Sequence, residues 1–212
     1  MPVTWQQSTN DFSIIVWHST EPLEVLLKNA EINNEETLEW KAFKSESRKR
    51  EWLTVRNALQ ILIPHSKKVV VLYDVNGKPL LEKGYISISH SQNYIAVMKT
   101  ITPGIGIDIE SINPRILKLA QKFLSENEKE HVITDNRLEK FHVIWGAKEV
   151  LYKIHSIGGI NFKKDLLVHS FKYENSGIID ASILKKGYEE NFKVRYEKLD
   201  GYMLTWAHRS NS

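Results

Sequence analysis

The chain has 212 residues, enough for one large domain or two small lobes with a sizeable core. Its formal net charge of +3 is too small for bulk nucleic-acid binding, but it suits an anionic ligand or an acidic partner surface. The absence of cysteine excludes disulfides, thiolate metal sites and a cysteine nucleophile. Since no signal peptide or bilayer-spanning apolar run is apparent, a cytoplasmic protein that binds neither nucleic acid nor membranes is expected.

The first half of the chain is predicted to form a strand, a long helix and a β meander. One helix is predicted over residues 35–63, ended by Pro64. A turn is centred on Asn76-Gly77, and a polar loop begins at His90. The predicted strands of this half cover residues 13–18, 69–73, 85–89 and 94–99.

The second half repeats that order after Thr102-Pro103-Gly104, which marks the predicted boundary between the two halves. Ser125 and Glu128 have the spacing of a capping box. Helices are predicted over 114–124, 125–134 and 138–155. Strands are predicted over 105–110, 166–172, 178–184, 191–196 and 202–208. These patterns favour an α+β fold of two similar lobes, 1–103 and 104–212, although a single mixed sandwich would also fit.

The segment Gly104-Ile105-Gly106-Ile107-Asp108-Ile109-Glu110 carries two acidic residues on a predicted strand. Because side chains alternate along a strand, the isoleucines point to one face, and Asp108 and Glu110 point together to the other. Two carboxylates beside glycines form a hard-oxygen site suited to Mg²⁺. The alternative is an edge strand with a solvated acidic face, the commoner meaning of an isolated Asp-x-Glu.

A second motif lies on the last predicted helix, where Trp145 precedes Glu149 and Lys153. Glu149 and Lys153 stand one helical turn apart, and Trp145 lies one turn earlier on the same face. An exposed pair at this spacing contributes only about 0.3–0.5 kcal/mol, so taken alone it is a solvated pair. A neighbouring tryptophan favours a functional role.

Three weaker signals lie in the first half. Ser89 and His90 stand at a strand end, where they either donate to a phosphate or satisfy a local turn. Lys78 and Pro79 follow Gly77, so the turn presents a lysine on a rigid frame. The long helix carries a basic cluster that is either an anion site or a solvated face, and its members are Lys44, Arg48, Lys49, Arg50 and Arg56.

Taken in order, Asn-Gly-Lys-Pro, Ile-Ser-His-Ser, Gly-Ile-Asp-Ile-Glu and Trp-x-x-Lys-Glu-x-x-x-Lys resemble the 4′-phosphopantetheinyl transferases. The resemblance runs from near Arg48 to about Gly159. The chain length resembles the Sfp-type branch of that family. The resemblance therefore implies two pseudo-symmetric α/β lobes with the active site in the cleft between them. It also implies a monomer, because a chain that carries both halves needs no second copy.

The resemblance also implies roles for the matching residues. Asp108, Glu110 and Glu149 match the family's metal-binding carboxylates, and Glu149 is also the implied general base. Lys153, the other implied catalytic residue, matches a lysine that contacts the coenzyme A diphosphate. Further implied coenzyme A contacts come from Asp108, His90 with Ser89, Lys78 with Pro79, and Arg50 or Arg48 for the 3′-phosphate. Gly146 departs from the pattern, because the family more often has Ser, Thr, Cys or Ala there.

The implied reaction moves the phosphopantetheine arm of coenzyme A to a serine of an acyl or peptidyl carrier protein. Mg²⁺ is the implied cofactor, and adenosine 3′,5′-bisphosphate is the other product. The slight basic surplus suits a carrier that presents its serine on an acidic helix. One alternative is a non-catalytic coenzyme A or carrier-protein binding module of the same fold, which has no need for three carboxylates and Lys153. A Mg²⁺-dependent nuclease or phosphatase is another, and it leaves His90 and Lys78 unexplained.

Overall fold

A computed structural model of the chain divides into two compact units, Met1–Ile101 and Thr102–Ser212. The structure describes residues 2–64, 69–75, 77–132, 137–155, 158–185 and 187–209. Each unit contains one antiparallel sheet and three helices within those ranges, which confirms the predicted α+β class. No helix in the described ranges is long and apolar enough to cross a membrane.

The first unit is a six-stranded sheet in the order β1-β2-β6-β5-β4-β3. Its strands are β1 (Val3–Ser8), β2 (Phe12–His18), β3 (Val71–Tyr73), β4 (Pro79–Leu81), β5 (Tyr85–Ser91) and β6 (Tyr94–Thr100). Its helices are α1 (Leu23–Asn29), α2 (Asn34–Ala42) and α3 (Glu46–Leu62). The buried side chains of α3, including Leu53 and Leu59, pack with Ile15 of β2 and Val97 of β6, and this packing fixes α3 against the sheet.

The single helix predicted over 35–63 is wrong, because the chain forms α2 and α3 with a break between them. Asn33 caps α2 in a capping box with Glu36. Phe43 adopts an extended backbone that ends α2, and the Ser45 side chain accepts a hydrogen bond from the Arg48 N–H at the start of α3. A serine that can satisfy a helix N-terminus therefore overrides the helical periodicity here.

The loop predicted to begin at His90 is also wrong, because β5 continues to Ser91. Gln92 and Asn93 alone connect β5 to β6, and Gln92 has a φ of 53°, in the left-handed region. Asn76 lies outside the described residues. The sequence patterns did not predict three short or edge elements of this unit, β1, β4 and α1.

The second unit is a five-stranded sheet in the order β7-β11-β10-β9-β8. Its strands are β7 (Ile105–Ser111), β8 (Leu166–Val168), β9 (Ser176–Lys185), β10 (Tyr188–Leu199) and β11 (Tyr202–His208). Its helices are α4 (Ile116–Phe123), α5 (Glu126–His131) and α6 (Arg137–His155). The capping box of Ser125 and Glu128 is confirmed. The strand predicted over 166–172 ends early, at Val168, and residues 133–134 of a predicted helix lie outside the described ranges.

Two glycines allow α6 to lie very close to the sheet. A Cβ atom at Gly106 of β7 would stand 2.4 Å from the Val150 carbonyl oxygen of α6. A Cβ atom at Gly146 of α6 would stand 2.4 Å from the Thr205 Oγ1 of β11. A larger residue at 106 would meet the helix backbone and force the helix away from the strand, and one at 146 would force either the helix or the Thr205 side chain to move. The backbone of α6 is thereby held against β7 and β11.

Candidate functional site

The two predicted acidic residues of β7 lie on the side of the sheet that α6 covers. Gly106 faces the backbone of α6, and the alternation of side chains puts Asp108 and Glu110 on that same face. Asp108 is only 4% exposed, and Glu110 is partly buried. The alternative of a solvated acidic face is therefore wrong for Asp108. A carboxylate removed from water in this way needs a compensating charge.

Lys153 of α6 provides part of that compensation. Its Nζ donates a hydrogen bond to the Ile107 carbonyl oxygen at 2.7 Å and lies 3.0 Å from Asp108 Oδ1. Lys153 therefore connects α6 to β7, and it is not a solvated residue paired only along its own helix. The sequence placed Lys153 one turn from Glu149 and did not predict its contact with Asp108.

Glu149 completes this group of charges. Burial raises the pKa of Glu149 to about 7, and repulsion from Asp108 and Glu110 adds to the rise, whereas Lys153 opposes it. Three carboxylates and one lysine thus influence one another at the contact of α6 with β7. A carboxyl group with a pKa near neutrality can accept a proton at physiological pH. We call these four residues the acidic group.

The acidic group is not a preassembled metal cage. Among the residues that the structure describes, no three His, Asp or Glu side chains are arranged to hold a metal ion together. Its donor chemistry nonetheless fits Mg²⁺, which takes oxygen ligands and is usually bound through one or two carboxylates together with substrate phosphates. The repulsion that raises the pKa of Glu149 is a further reason why a cation would be favoured there.

Trp145 and His142, also on α6, support the helix. The Trp145 ring packs against Phe123 and Phe162, so this tryptophan belongs to the core of the second unit. His142 is buried, and its Nε2 accepts a hydrogen bond from the Asn113 N–H at 3.0 Å. The sequence did not predict this role, because His142 directly follows Phe141 in an apolar stretch.

In the first unit, one carboxylate connects two of the predicted phosphate-binding residues. Glu51 of α3 accepts a hydrogen bond from Arg48 Nη1 through Oε1. Its other oxygen, Oε2, lies 3.6 Å from His90 Nε2 on β5. The Glu51 side chain is 15% exposed, against 43% for Arg48 and 56% for His90. We call these three residues the bridged group.

Two cavities of about 220 Å³ each lie beside the bridged group, and Glu51 and His90 line both. The first, which we call the Arg48 cavity, is also lined by Arg48 and Pro79. The second, the Arg50 cavity, is lined by Arg50, whose Nη1 donates to the Glu21 carbonyl oxygen. The structure therefore separates the two candidate arginines into different cavities.

The other predicted coenzyme A contacts are placed as follows. Ser89 is buried, and it points to the opposite face of β5 from the exposed His90 because neighbouring side chains on a strand alternate. Lys78 is partly buried, and its backbone N–H donates to Asp74 Oδ1 at 2.9 Å, which fixes the turn before Pro79. The structure thus brings His90 and Pro79 together but does not bring the Ser89 side chain with them.

Sequence reasoning missed two further features of the Arg48 cavity. Arg56 is 4% exposed, with its guanidinium carbon 3.3 Å from the centre of the Trp52 ring, so a solvated face is wrong for this arginine. Tyr73, at the end of β3, lines the cavity with Trp52. The Arg48–Glu51 spacing of three residues could have predicted their pairing, but the contact with His90 depends on tertiary packing.

Comparison with known proteins agrees with the geometry. Residues 104–207 match the family model of the 4′-phosphopantetheinyl transferase superfamily. A Synechocystis protein provisionally named a 4′-phosphopantetheinyl transferase is 27% identical over 148 residues, or 61% of this chain and 60% of the relative. The Bacillus subtilis 4′-phosphopantetheinyl transferase ffp is 32% identical over 83 residues, or 36% of this chain and 37% of the relative. Another Bacillus subtilis 4′-phosphopantetheinyl transferase is 28% identical over 129 residues, or 59% of this chain and 55% of the relative.

Residues 104–207 therefore match the 4′-phosphopantetheinyl transferase superfamily, and curated proteins of that name resemble the chain at modest identity. The matched segment contains all four residues of the acidic group. The chain spans less than two thirds of the length of each of these curated relatives, between 37% and 60%.

Proposed function

We propose that the protein transfers the 4′-phosphopantetheine arm of coenzyme A to a serine of an acyl or peptidyl carrier protein. The observation that carries this proposal is the acidic group, in which three carboxylates and a lysine interact within the segment that matches the family. In the reaction, the serine oxygen bonds to the phosphorus that bears the pantetheine arm. The bond from that phosphorus to the bridging oxygen breaks, and adenosine 3′,5′-bisphosphate leaves.

Each member of the acidic group has a proposed part in this reaction. Glu149 accepts the proton of the serine hydroxyl, directly or through water, and its raised pKa of about 7 suits that role. Lys153 stabilises the charge that grows on the leaving diphosphate oxygen. Mg²⁺, held by Asp108, Glu110 and Glu149, would neutralise diphosphate oxygens. Asp108 also orients Lys153 through their contact of 3.0 Å.

The bridged group has the proposed role of binding the nucleotide phosphates of coenzyme A. Arg48 and His90 offer a guanidinium and an imidazole, which donate to phosphate oxygens. We assign the 3′-phosphate to Arg48, not to Arg50, because Arg48 shares a cavity with both His90 and Pro79. Lys78 remains a proposed phosphate contact beside Pro79.

The setting of the reaction is also a proposal. The carrier protein is expected to approach through an acidic helix, which the small basic surplus of this chain favours. We propose that the protein acts as a monomer in the cytoplasm.

The test is the intact mass of a purified carrier protein after incubation with coenzyme A, Mg²⁺ and this protein. A gain in mass equal to one phosphopantetheine arm is expected, and it should be lost when the acceptor serine is replaced by alanine. Binding of coenzyme A without any gain in carrier mass would instead identify a non-catalytic module. A carrier that gains the arm without added Mg²⁺ and in the presence of EDTA would contradict the proposed cofactor.

A further inference from the structure

We propose that Glu51 lowers the preference of the Arg48 cavity for ligands that carry a 3′-phosphate. Its carboxylate stands between Arg48 and His90, where we have proposed that the phosphate binds. This inference rests on the proposed function and adds a specificity-determining residue to it. Glu51 has no counterpart among the residues that the motifs identify.

The geometry of the bridged group carries the inference. Each carboxylate oxygen of Glu51 is directed to a different group, Oε1 to Arg48 Nη1 and Oε2 to His90 Nε2 at 3.6 Å. Phosphate oxygens bind guanidinium and imidazole groups in the same way. Glu51 therefore holds, within the protein, the contacts that an incoming phosphate requires.

The burial of Glu51 makes its charge effective. Its side chain is 15% exposed and lines both cavities, so water screens it less than a surface carboxylate. A 3′-phosphate that reaches Arg48 and His90 meets this negative charge at close range. A ligand without that phosphate places no charge there and escapes the repulsion.

The neighbouring pair on the same helix provides a matched control. Glu46 Oε1 lies 3.4 Å from Arg50 Nη2, which is the same type of ion pair. The Glu46 side chain is 74% exposed and lines only the Arg50 cavity of the two. Removing its charge should leave the Arg48 cavity unaffected, because solvent screens an exposed carboxylate.

Calorimetric titration of the full chain tests the inference with coenzyme A and 3′-dephospho-coenzyme A as the two ligands. For each variant, the dissociation constant of the dephospho form is divided by that of coenzyme A. Glu51→Gln should raise this ratio about tenfold, equivalent to about 1.4 kcal/mol, by removing one repulsion. Glu46→Gln should leave it unchanged. The ratio compares two ligands on the same variant, so a general loss of stability cancels.

A ratio that is unchanged or lowered in Glu51→Gln overturns the inference. A lowered ratio would mean that Glu51 holds Arg48 and His90 in place for the phosphate and does not compete with it. Glu51→Asp keeps the charge and should stay close to the wild-type ratio, so a tenfold rise there would also contradict the electrostatic cause. If the proposed function itself is wrong, the result differs from each of these outcomes. The wild-type protein then neither binds coenzyme A nor modifies a carrier, and the inference fails with it.

Discussion

The bridged group of the first unit and the acidic group of the second differ in how their charges are balanced. Glu51 contacts one arginine and one histidine, and the latter two side chains are about half exposed. The acidic group combines three carboxylates with Lys153, and Asp108 is nearly inaccessible to water. The charges of the first arrangement are neutralised by its own residues. The second keeps a surplus of negative charge, which adds to the larger effect of burial in raising the pKa of Glu149. A balanced group can exchange an internal partner for a ligand, and an unbalanced group favours an added cation.

The largest expected effect comes from reducing the surplus of negative charge in the acidic group. Glu149→Gln and Asp108→Ala should each lower the rate of transfer to a carrier by about 100-fold or more, because one removes the proposed base and the other a proposed metal ligand. Intact mass against time measures the rate, and circular dichroism checks the fold. Glu126→Gln is the control, since Glu126 is an exposed carboxylate of the same unit. Near-normal turnover in Asp108→Ala would rule out the proposed metal site.

A smaller effect should follow from disturbing the contact that holds the acidic group together. Gly106→Ala places a methyl group against the Val150 carbonyl oxygen and should lower the free energy of unfolding by roughly 1–3 kcal/mol, as overpacking does. Gly158→Ala is the control, because a Cβ atom there meets nothing within 4 Å. Urea unfolding measures both variants. Equal stabilities would show that α6 can move away from β7 without loss.

Substitutions in the bridged group should have a smaller effect again, on the affinity for coenzyme A. Arg48→Gln and His90→Gln should each weaken coenzyme A binding about tenfold, since each removes one charge-assisted contact. Binding of 3′-dephospho-coenzyme A should change much less. Lys78→Ala should weaken both ligands equally if Lys78 contacts the diphosphate. Arg50→Gln is the matched control, and a larger loss there than in Arg48→Gln would transfer the 3′-phosphate to the Arg50 cavity.

The smallest effect concerns the stability of the second unit in acid. Burial lowers the pKa of His142 below 6.5, so the unfolded chain binds more protons than the folded protein between that lowered pKa and 6.5. Stability should therefore fall as the pH drops below 6.5, and His142 should make no difference above it. Urea unfolding at pH 7.5 and 5.5 should show a smaller fall for His142→Gln than for the wild type. Identical falls would show that another group causes the acid sensitivity.

The sequence predicted the parts of this molecule that local pattern controls. The alternation of Ile105, Ile107 and Ile109 indicated β7 and also indicated that Asp108 and Glu110 share a face. Local pattern failed where a cap competed with it, as at Ser45, which divides the predicted helix. It failed again at His90, where hydrogen bonding to β6 extends β5 beyond the apolar run.

Contacts between distant segments could not be read from the sequence. Motif spacing places Glu149 and Lys153 on one helix, but the contact of Lys153 with Asp108 depends on how closely α6 approaches the sheet. Arg56 looked like one more member of a charge run, and only its packing on Trp52 shows that it is buried. The resemblance implied that Arg48 or Arg50 and His90 contact one ligand, but it did not predict that Glu51 joins α3 to β5 between Arg48 and His90.

The contact between Gly146 and Thr205 has a consequence for exchanging residues with relatives. The resemblance to the family leads one to expect a larger residue at 146, yet a side chain there would meet Thr205 Oγ1 at 2.4 Å and Cγ2 at 2.9 Å. Thr205 is the strand neighbour of Asp108, so a shift of β11 at this point reaches the acidic group directly. The two positions are therefore coupled, because a serine or alanine at 146 requires Thr205 to move or to be replaced by a smaller residue.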